Sequence, residues 1–114
     1  MQYTKLAATL LSLAASITGS QAVKICTSVD FSSNGPCQEF SGDVSKCTFL
    51  TQPFFKSVGS FDPEGKTCFL MQNVDRCDPQ EGITIQEPIN NLYWYNYDGT
   101  PQNYGNSATA FFCE

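Results

Sequence analysis

The chain has 114 residues, a formal net charge of −5, six cysteines and no histidine. The acidic balance argues against binding to nucleic acid or to an anionic membrane surface, because both depend on clusters of Lys and Arg. The absence of histidine excludes the Ser-His-Asp and Cys-His nucleophile systems and zinc sites with histidine ligands.

The first residues have the composition of a secretory signal peptide. Lys5 precedes the apolar run 6–17, and Ser20-Gln21-Ala22 places small residues where a signal peptidase cleaves. An apolar run of about twelve residues is too short to span a membrane, which needs roughly twenty. We therefore expect residues 1–22 to be removed before Val23, the protein to be secreted and extracellular, and no membrane span.

Residues 23–114 are predicted to form a single domain held together by disulfides. A domain of this size gains only marginal stability from its apolar core, and an even number of cysteines in a small secreted chain is typical of disulfides. No two cysteines have the Cys-x-x-Cys spacing of a metal site. The spacing leaves the pairing open among Cys26, Cys37, Cys47, Cys68, Cys77 and Cys113.

Short β-strands separated by turns follow one another along this domain. The residues 82–86 alternate between apolar and polar side chains, and Asp98-Gly99 is a favoured hairpin turn after the aromatic run 92–97. No stretch keeps the 3.6-residue period of a long helix, so the pattern predicts an all-β sandwich or barrel with little helix. The predicted strands are 23–29, 37–40, 57–61, 67–72, 82–86, 92–97 and 107–113, with a further short segment at 47–50.

A turn in the middle of the chain joins two similar halves, residues 23–61 and 67–114. Asp62-Pro63-Glu64-Gly65 suits a type I turn, since Asp bonds the following backbone, Pro presets φ and Gly fits the last position. The same Ser-x-x-small-Phe order occurs in Ser57-Val58-Gly59-Ser60-Phe61 and in Ser107-Ala108-Thr109-Ala110-Phe111. Each half also opens on a cysteine that a second one follows: Cys26 and Cys37, then Cys68 and Cys77.

This order resembles the βγ-crystallin-like Greek-key domains of small secreted fungal proteins. The resemblance extends over nearly all of residues 23–114, although the second half lacks the aromatic-glycine pair of the pattern. It implies a disulfide-stapled β-sandwich of two Greek keys, which we expect to be a monomer. The matching positions are Cys26, Phe31, Gly35, Cys37, Cys47, Ser60, Phe61, Cys68, Cys77, Asn91, Leu92, Phe111 and Cys113.

Proteins of this kind often bind Ca²⁺ through an Asn/Asp-Asn/Asp-x-x-Ser/Thr-Ser series, from which both halves of this chain depart. Ca²⁺ takes roughly six to eight oxygen ligands, carboxylates among them. Phe55-Lys56 stands at the first two positions in the first half, and only Asn106 and Thr109 remain in the second. We predict that the hydroxyls here tie down turns, with no metal and no cofactor.

The sequence gives little support to enzyme chemistry. Tyr95-Asn96-Tyr97-Asp98-Gly99 is similar to loops of the T1-type ribonucleases, but that family uses histidine in its acid–base pair and this chain has none. Paired carboxylates are the alternative, for glycoside hydrolysis. The candidates lie scattered in loops, as solvated charges do, so we predict that the protein is not an enzyme. They are Asp75, Asp78, Glu81 and Glu87.

The densest aromatic stretch provides the candidate binding residues. On a strand, Tyr93, Tyr95 and Tyr97 would share one face, because side chains alternate between the two faces. If that face is exposed, the tyrosine row suits a protein partner or stacking on sugar rings. If both faces of the strand are covered, the row belongs to the core instead.

The resemblance implies a secreted, non-enzymatic, effector-like protein that acts outside the cell at a host interface. Its partner would be a host or extracellular protein or glycan. One alternative is a killer-toxin-like or antimicrobial protein, although relatives that act on anionic membranes tend to be basic. A second alternative is a structural protein of the cell wall or matrix.

Overall fold

The computed structural model describes residues 22–114, so the expected signal peptide, residues 1–22, lies outside the described residues but for its last position. This part of the chain forms short β-strands and three single-turn 3₁₀ segments, with no α-helix. The strands are β1 (Val23–Cys26), β2 (Cys37–Phe40), β3 (Thr48–Phe49), β4 (Ser60–Asp62), β5 (Cys68–Gln72), β6 (Gly82–Ile85), β7 (Tyr95–Asn96), β8 (Pro101–Gln102) and β9 (Ala108–Cys113). The 3₁₀ segments are Val29–Phe31, Pro79–Glu81 and Gly105–Ser107.

Two main sheets build the sandwich, and each half of the chain contributes to both. The first sheet has the order β2-β1-β4 and is extended by a bridge between Phe61 and Ile89. The second has the order β3-β9-β5-β6. In the first half, β3 joins the second sheet and β4 returns beside β1. In the second half, the segment at Ile89 joins the first sheet and β9 returns beside β5, so the two halves interlock as Greek keys do. The predicted all-β, disulfide-rich sandwich is confirmed.

Matching positions of the two halves meet in the core. Ile25 pairs with Phe61 in the first sheet, and Leu70 pairs with Phe111 in the second. All four side chains are fully buried. The rings of Phe61 and Phe111 meet edge to face with centroids 5.7 Å apart, and Phe40 packs on Phe111 at 5.1 Å. Each fully buried large apolar side chain stabilises the fold by about 1.5–3 kcal/mol, so this cluster is a main source of stability.

Three disulfides fasten the sandwich, and all six cysteines take part as predicted. Cys26–Cys37 joins β1 to β2 in the first half, and Cys68–Cys113 joins β5 to β9 in the second. Cys47–Cys77 connects the two halves across a sequence separation of 30 residues. Two of the bonds thus staple neighbouring strands, and the third ties one half to the other.

Turns shorten several of the predicted strands, and 57–61 is observed as Ser60–Asp62. The first predicted strand ends at Cys26 instead of residue 29, and Asp30 and Phe31 in the 3₁₀ segment that follows have positive φ values of 57° and 54°. The predicted strand 92–97 is reduced to Tyr95–Asn96. The loss of most of the predicted strand 92–97 changes which tyrosines share a face.

The central turn is placed one residue later than predicted. The amide of Lys66 donates to the carbonyl oxygen of Pro63 at 3.1 Å, so Glu64 and Gly65 are its central residues. Both have positive φ, 51° and 84°, as in a type I′ turn rather than type I. The carboxylate of Asp62 accepts from the amide of Glu64 at 2.9 Å, as expected for Asp at the start of a turn.

Candidate functional site

A small hairpin outside the two main sheets carries the candidate tyrosines. Strands β7 and β8 pair Tyr95 with Gln102 and Asn96 with Pro101. The turn between them contains Gly99, whose φ of 99° suits glycine, and the Asn96 side chain accepts from its amide at 2.8 Å. We call residues 93–103 the tyrosine hairpin. The prediction that Asp98 and Gly99 alone form the hairpin turn is wrong, because Asn96 pairs with Pro101 and the loop between them holds the four residues 97–100.

Three tyrosine rings form a contact cluster at the base of this hairpin. Tyr95 lies 6.5 Å from Tyr97 and 6.1 Å from Tyr104, measured between ring centroids. Tyr97 lies 6.2 Å from Tyr104 at a steep interplanar angle. Tyr104 is buried and Tyr95 packs partly against the core, whereas Tyr97 keeps 42 % of its surface exposed. Trp94 is 66 % exposed.

The predicted row of three tyrosines is wrong for Tyr93. No strand runs through this residue, so the alternation that would align it with Tyr95 and Tyr97 does not hold. Its hydroxyl donates to the carbonyl oxygen of Thr27 at 2.6 Å, and its ring lies against Gly105. Tyr93 is thus a structural tie between the halves. Tyr104, which replaces it in the cluster, was not among the sequence candidates.

A shallow groove with a volume of about 370 Å³ runs between the hairpin and the edge of β6; we call it the tyrosine groove. The amide of Thr84 donates to the Tyr97 hydroxyl at 3.2 Å, which holds the Tyr97 ring beside this edge. Amides and carboxylates share the surface with the rings. The polar side chains that line it are Gln72, Gln80, Glu81, Asp98 and Gln102.

The electrostatics of the tyrosine groove favour the neutral form of Tyr104. Burial raises the pKa of Tyr104, and the nearby charges of Asp98, Tyr97 and Tyr95 raise it further. Arg76 is paired with Glu81 at 3.2 Å in an exposed salt bridge. The groove therefore offers hydrogen-bonding groups, a carboxylate and one exposed ring face, an arrangement suited to binding a polar, uncharged ligand.

Two of the four carboxylates considered for glycoside hydrolysis have partners in the protein. Asp78 accepts from the amide of Gln80 at 3.0 Å and caps the 3₁₀ segment Pro79–Glu81. Glu81 is engaged by Arg76, and both Asp75 and Glu87 are exposed.

The hydroxyls of the calcium-like series are used inside the protein. Ser60 is fully buried; its hydroxyl donates to the carbonyl oxygen of Ser28 at 2.8 Å and accepts from the amide of Phe31. The Thr109 hydroxyl donates to the carbonyl oxygen of Val74 at 2.6 Å. Among residues 22–114, no group of three or more Asp, Glu, Cys or His side chains is placed to hold a metal ion.

Comparisons with known proteins identify no family. No family model matches the chain, and no solved structure matches it. A stretch of 74 residues, 65 % of this chain, is 28 % identical to the β-lactamase OXA-1 of Escherichia coli and spans 27 % of that enzyme. Within the described residues no helix is long and apolar enough to cross a membrane. The fold and the tyrosine groove therefore carry the functional argument.

Proposed function

We propose that this protein is a secreted, non-enzymatic, effector-like binding protein of the βγ-crystallin-like kind, acting outside the cell at a host interface. The tyrosine groove is its binding site, and an uncharged glycan is its ligand. The observation that carries this proposal is the exposed face of Tyr97 next to the amide side chains of Gln80 and Gln102.

The chemistry of the tyrosine groove fits a sugar better than an apolar surface of a protein. One face of a sugar ring presents C–H bonds that pack on an aromatic ring, while its hydroxyls need donors and acceptors at the ring's edge. Tyr97 supplies the ring, and Gln80, Gln102 and Asp98 supply hydrogen-bonding groups. A protein hot spot would more often be a deep, water-free pocket for an apolar anchor.

The rigidity of the site also supports a binding role. The rings of Tyr95 and Tyr104 support the Tyr97 ring, whose hydroxyl is held by the Thr84 amide. A side chain that is already held in place loses little conformational entropy when a ligand binds.

Co-sedimentation of the oxidised mature chain with insoluble polysaccharides tests the proposal. Chitin, β-1,3-glucan, cellulose and xylan cover the common neutral wall polymers. We expect binding to one of them, a loss of affinity of about tenfold in Tyr97→Ala from the stacking contact, and near-normal binding in Tyr97→Phe. Phe49→Ala, which removes an exposed ring elsewhere on the surface, is the matched control.

Two outcomes would contradict the proposal. In one, Tyr97→Ala binds the polysaccharide as tightly as the wild type does, which places the site elsewhere. In the other, no polysaccharide binds and affinity capture from host extracellular fluid recovers a protein whose binding depends on Tyr97, which makes the ligand a protein.

A further inference from the structure

A second, larger groove lies between the two halves of the chain. Its volume is about 510 Å³, within the range of about 300–1,000 Å³ typical of small-molecule sites. The first half lines it with residues 49–50 and 55–56, and the second half lines it with residues 73–76 and Thr109. We call it the phenylalanine groove; its residues in the following argument are Phe49, Phe55, Lys56, Asn73, Asp75 and Arg76.

Large apolar side chains are exposed along this groove. Phe49 is 56 % exposed and Phe55 is 38 % exposed. Phe49 lies in β3 at the edge of the second sheet, and Phe55 lies in the adjoining loop. An apolar body bound here would remove both ring surfaces from water, a gain proportional to the area covered.

The backbone takes the left-handed conformation on both sides of the phenylalanine groove, and it is strained at Lys56. Lys56 and Asn73 have positive φ values of 57° and 60°, a conformation that disfavours side chains other than glycine, Asn and Asp. Hydrogen bonds hold them there: the Lys56 amide donates to Ala108 at 2.7 Å, and the Asn73 amide donates to Ser107 at 2.8 Å. Strain of this kind often marks functional positions.

The charges of the groove leave one cation available to a ligand. Arg76 is paired with Glu81, whereas Lys56 forms no salt bridge with any of the residues 22–114. The Lys56 ammonium lies 5.7 Å from the centroid of the Phe55 ring, so the cation stands next to the apolar surface. Asp75 is the opposing charge on the far side of the groove.

We propose that the phenylalanine groove binds a small amphipathic carboxylic acid, with its apolar body on Phe49 and Phe55 and its carboxylate on Lys56. This site is separate from the tyrosine groove and does not depend on the function proposed for it. Decanoate is the probe, and decyltrimethylammonium, with the same chain and the opposite charge, is its counterpart.

Titration of the ¹⁵N-labelled, oxidised mature chain with decanoate below its micelle concentration tests the proposal. We expect amide shifts in residues 49–56 and 73–76 and none in 95–104, with weaker binding of decyltrimethylammonium. Lys56→Gln should weaken decanoate binding about tenfold because it removes a charge-assisted contact. Lys46→Gln, which makes the same charge change at an exposed site outside the groove, should leave the affinity unchanged.

Two further variants separate binding from folding. Asp75→Asn should tighten decanoate binding a few-fold, since it removes the opposing charge. Lys56→Gly should lose binding while raising Tm by about 4 °C, because glycine relieves the positive φ. Equal affinity for the two amphiphiles, equal behaviour of Lys56→Gln and Lys46→Gln, or shifts confined to the tyrosine hairpin would each overturn the proposal.

Discussion

The two halves of the sandwich meet at two junctions. Each begins with a backbone hydrogen bond between the halves, but the segments that follow differ in length. The Leu50 amide donates to the carbonyl oxygen of Thr109 at 2.9 Å, and the Leu92 amide donates to that of Gly59 at 2.7 Å. From Leu50 the first half reaches the buried ring of Phe54 after three residues, 51–53. The second half has eleven residues at the same place, 93–103, before the buried ring of Tyr104, which is eight more than the first half has.

The insertion explains why one junction is closed and the other open. Tyr93, the first residue of the longer segment 93–103, crosses to Thr27 and lies against Gly105. The first half has no such residue after Leu50, and Phe55 stands where the second half has Gly105, so this junction remains a groove. Two similar halves therefore present different surfaces: a hairpin with a polar aromatic groove in the second half, and an open apolar groove where the first half has the shorter segment.

The largest predicted effect concerns the bond that ties the open junction. Replacing Cys47 and Cys77 together by alanine should lower the free energy of unfolding by about 3–4 kcal/mol, since the bond closes a loop with a sequence separation of 30 residues. Urea denaturation followed by far-UV circular dichroism measures it. A loss below about 1 kcal/mol would mean that packing alone holds this junction.

A side chain at Gly105 should destabilise the closed junction. A Cβ on Gly105 would lie 2.1 Å from the carbonyl oxygen of Val58 and 2.7 Å from the Tyr93 ring, so Gly105→Ala should cost about 2–3 kcal/mol. Gly42→Ala is the matched control, because nothing lies within 4 Å of the added Cβ. Equal urea midpoints for the two variants would show that the halves can separate at this point without loss.

A smaller effect is expected from the loss of the hydrogen bond between Tyr93 and Thr27. Tyr93→Phe keeps the ring and removes the hydroxyl, which leaves the Thr27 carbonyl oxygen without this donor, at a cost of about 1–2 kcal/mol. Tyr95→Phe serves as control, since the Tyr95 hydroxyl makes no hydrogen bond within the described part of the chain. If both variants unfold at the same urea concentration, the insertion closes the junction by packing alone.

The sequence predicted the scaffold well because local patterns encode it. Alternation and turn residues placed β5, β6 and β9 within one residue of their observed bounds. The repeated Ser-x-x-small-Phe order identified Phe61 and Phe111, whose buried rings meet between the sheets.

The cysteine pairing depends on strand register, which local patterns do not encode. Ile25 pairs with Phe61 as Leu70 pairs with Phe111, so Ile25 and Leu70 are equivalent in the two halves. Cys26 is therefore equivalent to Met71, whereas the repeat suggested that it is equivalent to Cys68. The first cysteines of the two halves therefore do not occupy equivalent positions. For the same reason their connectivity could not be read from spacing.

The candidate site was predicted only in part, because its contacts are long-range. Tyr93 bonds to a residue 66 positions away, which no alternation pattern reveals. Tyr104 lies in a polar stretch of the sequence. The sequence feature that could have identified it is the offset of 50 residues from Phe54, which is the same offset that separates Phe111 from Phe61. The phenylalanine groove arises from the absence of an insertion, and a sequence read on its own does not show this.

That correspondence between Phe54 and Tyr104 leads to the smallest predicted effect, a dependence on alkaline pH. Burial and Asp98 raise the pKa of Tyr104 in the folded protein, so the folded state holds the phenol proton more tightly than the unfolded state does. This contribution to stability is fully present below the ordinary tyrosine pKa of about 10 and is lost as the pH rises towards the folded pKa.

Tyr104→Phe gives the second half the side chain of the first and should remove this dependence. Urea midpoints measured at pH 8 and again above pH 10, with intact disulfides verified by mass spectrometry, should fall less in Tyr104→Phe than in the wild type. Tyr97→Phe, which changes a more exposed phenol of the same cluster, is the matched control. An equal fall in Tyr104→Phe and the wild type would show that the insertion, and not the buried hydroxyl, makes the second half differ from the first.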